Sequence, residues 1–109
     1  MKVRRRTIKS YETTGPEPRR PFDDWIDELN DIQAVGIIFN RLDRVKRGNL
    51  GDHGPVGDGV WELRFDFGPG YRVYYGEDRN IIVLLSGGKK KTQSQDIVGA
   101  KEYWRDYNA

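Results

Sequence analysis

From Val60 to Gly76 the chain reads VWELRFDFGPGYRVYYG. Side chains alternate faces along a strand, and here the apolar residues fall on every second position. Trp61, Leu63, Phe65 and Phe67 share one face, as do Tyr71, Val73 and Tyr75 beyond Gly68-Pro69-Gly70. The stretch therefore reads as two strands joined by the Gly-Pro-Gly turn. A register pairing Phe67 with Tyr71, Phe65 with Val73 and Leu63 with Tyr75 keeps all of these residues on one buried face, and a slip by one residue would put half of them in water. The opposite face then carries Val60, Glu62, Arg64, Asp66, Arg72 and Tyr74, with Asp66 opposite Arg72 and Tyr74 opposite Arg64. That face is expected to be an open sheet surface holding two guanidinium groups. Fixed arginines suit a planar anion such as phosphate, although a cross-strand Arg72–Asp66 pair would explain them as ordinary sheet chemistry.

The flanking segments supply helices and further strands. KVRRRTIKSYE at the start reads as a strand, and TTGPEPRRP as a loop closed by Pro21. In PFDDWIDELND, Phe22, Trp25, Ile26 and Leu29 recur at helical spacing. Its early acids, Asp23, Asp24, Asp27 and Glu28, suit the positive end of the helix dipole. A second helix is expected over Ile32 to Lys46, with Ile32, Val35, Ile38, Phe39, Leu42 and Val45 as its apolar stripe and Gly48 as its stop. GNLGDHGPVGDG reads as a long turn-rich connection. VWELRFDF, YRVYYG and NIIVLLSG follow as an antiparallel meander, the last link being Glu77 to Arg79. TQSQDIVGAKEYWRDY returns to helical spacing, with Thr92 or Ser94 as its cap. The expected order is β-α-α-β-β-β-α, an α+β domain covering residues 1–109.

Composition excludes more than it selects. There is no cysteine, so disulfides, thiolate zinc sites and thiol nucleophiles are ruled out, which fits a cytoplasmic protein. No apolar run approaches membrane-spanning length, and the basic N-terminus lacks the apolar segment of a secretory signal. The glycine-rich stretch lacks the Lys-Ser/Thr of a phosphate-binding P-loop. No cluster of acids and histidines suggests a metal, and nothing calls for a cofactor. Net charge is only +2, so distribution decides: bases gather at Arg4–Arg6, at Arg44, Lys46 and Arg47, and at Lys89–Lys91. Each run alone is explained as solvated surface.

Taken together, GDHGPVGDGVWELRFDFGPGYRVYYG, VLLSGGKKKTQSQDI and AKEYW resemble the addiction-module killer branch of the RelE/ParE toxin superfamily, which is similar to HigB-type toxins. The resemblance runs from PFDDWIDEL to the terminal helix. It implies a small α+β toxin with two N-terminal helices packed on a twisted antiparallel sheet. It further implies a ribosome-dependent endonuclease that cuts mRNA in the A site. A cognate antitoxin, in this branch often of helix-turn-helix type, would silence it, and operator DNA would be met only through the toxin–antitoxin complex. Carried over by position, the arginine of the GYR element matches Arg72, the arginine one strand earlier matches Arg64, and the basic residue after the last strand matches Lys90. RelE has a tyrosine where this chain has Asp96, and HigB-like members use histidine in a zone where this chain has none. The resemblance therefore assigns no proton donor.

The chemistry implied is attack of a ribose 2′-hydroxyl on the adjacent phosphate, which needs in-line alignment, proton transfer and stabilised phosphoryl charge. Arg72 and then Arg64 are expected to supply the last. Mutual repulsion among Lys89, Lys90 and Lys91 gives one of them a route to act as a base; equally, all three steer the chain onto RNA. Gln93, Gln95 and Asp96 either contact RNA or cap the last helix. His53, the only histidine, is a candidate proton carrier in its loop. Two other classes share this sequence pattern: a ParE-like inhibitor of DNA gyrase, and a binding module without cleavage.

Overall fold

The structure, a computed structural model, describes residues 5–109. Residues 2–4 of the expected first strand, with Arg4 of the first basic run, lie outside that range. The elements in chain order are β1 (Thr7–Ser10), α1 (Pro21–Glu28), α2 (Ile32–Lys46), β2 (His53–Gly57), β3 (Val60–Arg64), β4 (Tyr71–Asp78), β5 (Ile81–Lys89), a 3-10 turn (Lys90–Thr92) and α3 (Gln93–Tyr107). They form an α+β fold around one five-stranded sheet in the order β1-β5-β4-β3-β2. The expected meander of β3, β4 and β5 is present, but the sheet is mixed rather than antiparallel, because β1 runs parallel to β5. Among the described residues no helix is long and apolar enough to cross a membrane.

Both helical segments at the N-terminal end start on recognisable chemistry. Pro21 occupies the first turn of α1, where its missing N–H costs nothing. Asp31 caps α2 by accepting from the Ala34 N–H at 3.0 Å. The buried stripe of α2 is Ala34, Ile38, Arg41, Leu42 and Val45. It is rotated from the expected one: Ile32 is 88% exposed and Phe39 50%. Arg41 joins the buried face at the edge away from Phe39, about 160° round the helix from it.

The connection after α2 is not all loop. It contains β2, which makes the strand count five instead of four. Asp58 and Gly59 have φ of 55° and 83°, the two positive values that a tight hairpin turn demands. Asp-Gly between two strands is the signal for that turn, hidden here among other glycines. Pro55 is tolerated because β2 is the edge of the sheet, and a bulge between Pro55 and Gly57 takes up the extra residue.

The hairpin of β3 and β4 is displaced by two residues from the expected register. Leu63 faces Val73 and Arg64 faces Arg72. The loop is Phe65–Gly70, closed by a Gly70 N–H to Phe67 carbonyl bond of 3.0 Å, and is longer than Gly-Pro-Gly alone. A two-residue shift preserves parity, so the facing of the paired side chains is as expected. Phe22, Ile26, Ala34, Ile38, Leu42 and Val45 from α1 and α2 pack on Leu63, Phe65, Tyr71, Val73, Tyr75, Ile82 and Leu84. Trp61, expected in this core, is only half-buried at its margin.

The second face is not open. Helix α3 covers much of it, with Val60, Tyr74, Val83, Leu85 and Ala100 forming a second core. Close approach there depends on Gly76, because a Cβ at that position would fall inside the Trp104 ring. Gly76→Ala is expected to cost about 1–3 kcal/mol through overpacking, read as a Tm lowered by several degrees in a thermal melt.

Candidate functional site

The end of the second face that α3 leaves uncovered is a shallow cleft of about 360 Å³, lined by Asp52, Arg64, Arg72 and Lys90 with the 65–70 loop. Three of the residues singled out in the sequence, Arg64, Arg72 and Lys90, therefore meet. What joins the two arginines is Glu62, which sequence reading had placed only on the same face. It is 5% exposed. Arg64 Nη1 donates to its Oε2 at 3.1 Å, Gln93 Nε2 donates to its Oε1 at 2.9 Å, and Arg72 Nε lies 3.9 Å from Oε1. A buried carboxylate so placed stands as a shared counter-charge between two guanidiniums that face one another across the ladder, and it ties the first turn of α3 to β3. The expected Arg72–Asp66 pair does not form: with the register displaced, Asp66 lies in the loop at the cleft rim, and Glu62 takes its place.

The two arginines differ in what they have left to offer. Arg64 donates from Nε to Asp52 Oδ1 at 3.0 Å, from Nη1 to Glu62, and from Nη2 to the His53 carbonyl at 2.9 Å. Asp52 and Glu62 hold its pKa above the ordinary arginine value, and all three of its nitrogens are engaged. Gly54 permits this, since a Cβ there would stand 2.8 Å from Arg64 Nη1. Arg72 is 12% exposed at its side chain. Its Nη1 donates to the carbonyls of Gly70 and Tyr71, both at 3.1 Å, and its buried Nε makes no hydrogen bond among the described residues. That Nε faces Glu62, whereas Nη2 is neither buried nor hydrogen-bonded among the described residues, so Arg72 keeps there a donor of the kind Arg64 has spent. Lys90 forms the facing wall: its Cβ and Cδ border Gly70, and no carboxylate lies within 4 Å of it among the described residues.

The other sequence candidates are dispersed. Lys89 turns to a separate cleft beside Thr92 and Asp96, Gln95 to a groove against Glu28 of α1, and Lys91 is exposed. Thr92 does not cap α3 with its side chain, and Ser94 lies inside the helix. The Thr92 hydroxyl instead donates to Asp96 Oδ2 at 2.6 Å. His53 is on β2 rather than in a loop. Its Nδ1 lies 2.7 Å from the Gly51 carbonyl and its ring tilts against Trp61, so its contribution to the cleft is the backbone carbonyl that receives Arg64. Tyr74, paired with Glu62 across the sheet, is fully buried. Burial, then the Glu62 and Asp96 carboxylates, pushes its phenol pKa up, which keeps it protonated and excludes it as a base.

An uncharacterized protein of Haemophilus influenzae is 46% identical over 81 residues, covering 73% of this chain and 82% of that one. No protein-family model matches the chain, and no solved structure does. With that identity and coverage, the chain belongs to the same family as the H. influenzae protein.

Proposed function

We propose that this chain is the toxin of a type II toxin–antitoxin module, a ribosome-dependent mRNA endonuclease of the RelE/ParE kind with that superfamily's fold, acting in the cytoplasm. The observation that carries the reading is the pairing of Arg72, whose Nη2 is unspent, and Lys90, with no carboxylate partner, in one cleft beside a buried Glu62. This is the arrangement that charge development on a phosphoryl group calls for, because the donors are fixed before the charge appears.

In the proposed reaction the ribose 2′-oxygen attacks the adjacent phosphorus. The 2′-O–P bond forms, the P–O5′ bond breaks, and a 2′,3′-cyclic phosphate and a 5′-hydroxyl result. Arg72 donates to the phosphoryl oxygens and Arg64 holds the floor in place through Glu62 and Asp52. Asp66, expected opposite Arg72 and found on the rim of the same cleft, would receive the 2′-proton, and Lys90 would deliver one to the leaving 5′-oxygen. Lys89 and Lys91 supply long-range attraction to ribosomal RNA. A cognate antitoxin would cover this cleft, and operator DNA would be met through that complex.

The test is primer extension on a defined mRNA, with and without ribosomes. Wild type is expected to cut only when ribosomes are present, and Arg72→Ala to cut about 100- to 1,000-fold more slowly per folded molecule, with a lowered melting temperature because buried Glu62 loses a partner. No cleavage by a folded chain that still arrests growth would replace this reading with inhibition of DNA gyrase. No cleavage and no arrest would leave a binding module.

A further inference from the structure

A second cleft, of about 340 Å³, lies on the other side of the 65–70 loop, between the end of α1 and the first turn of α3. Its walls are Trp25, Leu29 and Tyr71, and its polar groups are Lys89, Thr92 and Asp96. The paired glycines of β5 build it. A Cβ at Gly87 would collide with the Trp25 ring, and one at Gly88 with Asp96 Oδ2. Without those atoms the indole and the carboxylate settle onto the strand from its two faces. Thr92 fixes Oδ2, while Oδ1 stands 3.5 Å from where that Gly88 Cβ would be and makes no hydrogen bond among the described residues. Asp96 also has no ion-pair partner among them. The cleft thus combines an apolar, aromatic wall with an orientated acceptor, the composition of a small-ligand site.

Its position identifies the ligand. Pro69 lines both clefts, and the consecutive residues Lys90 and Lys89 each line one of them. A strand whose phosphate lies on Arg72 and Lys90 would bring a neighbouring base to the loop's far side. Resting on the nuclease reading above, we propose that this cleft is a base-recognition subsite that takes guanine. A splayed base packs on aromatic and apolar walls whatever its identity, so selectivity falls to Asp96. A carboxylate accepts only, and while Oδ1 is unbonded Oδ2 has a second lone pair beside the one that holds Thr92. Guanine presents two adjacent donors, N1–H and the 2-amino group, on one edge. Adenine and cytosine set a single amino group beside an acceptor nitrogen, and uracil sets one N–H between two carbonyls. Each of those would turn an acceptor toward the carboxylate.

Binding is measured with DNA tetramers of dT carrying one dG, dA or dC, which lack the 2′-hydroxyl and are not cut. Affinity is read by calorimetry and by tryptophan fluorescence, with Trp25→Phe assigning the signal. The dG tetramer is expected to bind about 10-fold more tightly than the others. Asp96→Asn should erase that preference while leaving dT4 affinity intact, and Arg72→Ala should weaken all four tetramers alike. Equal affinities in wild type, or a dG preference that survives Asp96→Asn, overturns the subsite. Because no cleavage is scored, a guanine preference without ribosome-dependent cutting would retain the subsite and discard the nuclease. Cutting without the preference would do the reverse.

Discussion

Arg41→Ala is expected to destabilise the fold by about 3–5 kcal/mol, out of a total of about 5–15 kcal/mol for a domain of this kind. Arg41 is 8% exposed on the buried face of α2. Its Nε and Nη2 donate to the Leu50 carbonyl at 3.0 and 2.9 Å, Nη2 also to the Asp52 carbonyl at 2.6 Å, and Nη1 to the Arg64 carbonyl at 2.9 Å. Its guanidinium lies over the Phe65 ring at 4.9 Å. Burial pulls its pKa down, but arginine's ordinary value is too high for the charge to be lost. Alanine would take a donor from three carbonyls, of which that of Asp52 keeps the Arg64 N–H at 2.9 Å, and would leave an empty space against Phe65. Arg41→Lys keeps a charge but not the planar fork, so it should recover only part of the loss. Urea unfolding of the three proteins decides the matter, and a loss below about 1 kcal/mol for alanine would show that water takes over these carbonyls at no cost. The effect reaches the candidate site, because the segment that Arg41 pins carries Asp52 and the His53 carbonyl, two of the three groups that hold Arg64.

Arg41 also marks where the sequence stops being legible. Periodicity placed the two helices, the meander and the facing of the residues paired between β3 and β4, because burial on one face imposes a period on the chain. It could not separate registers two residues apart, since both bury the same side chains. That choice fell to the 65–70 loop, and with it went the difference between an Arg72–Asp66 pair and a shared Glu62. Strand β2 escaped because its glycines are selected by what lies over them, Arg64 at Gly54 and Lys101 at Gly57, and not by an apolar alternation. The Asp58-Gly59 turn was the signal that could have found it. Arg41 gave no signal at all, since a charged residue breaks an apolar stripe and its carbonyl partners come from three separate positions in the chain. Arg64, Arg72 and Lys90 were found by motif position. The division of labour between them was not, since it depends on which nitrogens are already bonded.

That division yields the second large effect, at Glu62. Glu62→Ala would leave Arg64 and Arg72 facing each other across the ladder with no carboxylate between them, and Gln93 without its acceptor. Removing one partner of a buried charge network costs about 3–5 kcal/mol. Arg64 is 34% exposed and water screens part of its charge, so about 2–4 kcal/mol is expected here. Glu62→Gln keeps the shape and an accepting oxygen and should cost about half as much, leaving a folded chain in which Arg72 has lost its counter-charge. A neutral amide holds a guanidinium less firmly than a carboxylate does, so Arg72 would have to be orientated when the phosphate arrives instead of beforehand. If preorganised charge is what speeds cleavage, Glu62→Gln should lower kcat by about 10- to 100-fold while KM for ribosome-bound mRNA changes little. A buried tie that merely joins α3 to β3 predicts something else: a lower melting temperature with kcat per folded molecule unchanged. Measuring both quantities on the same preparation separates an acid that holds a helix from one that aims an arginine.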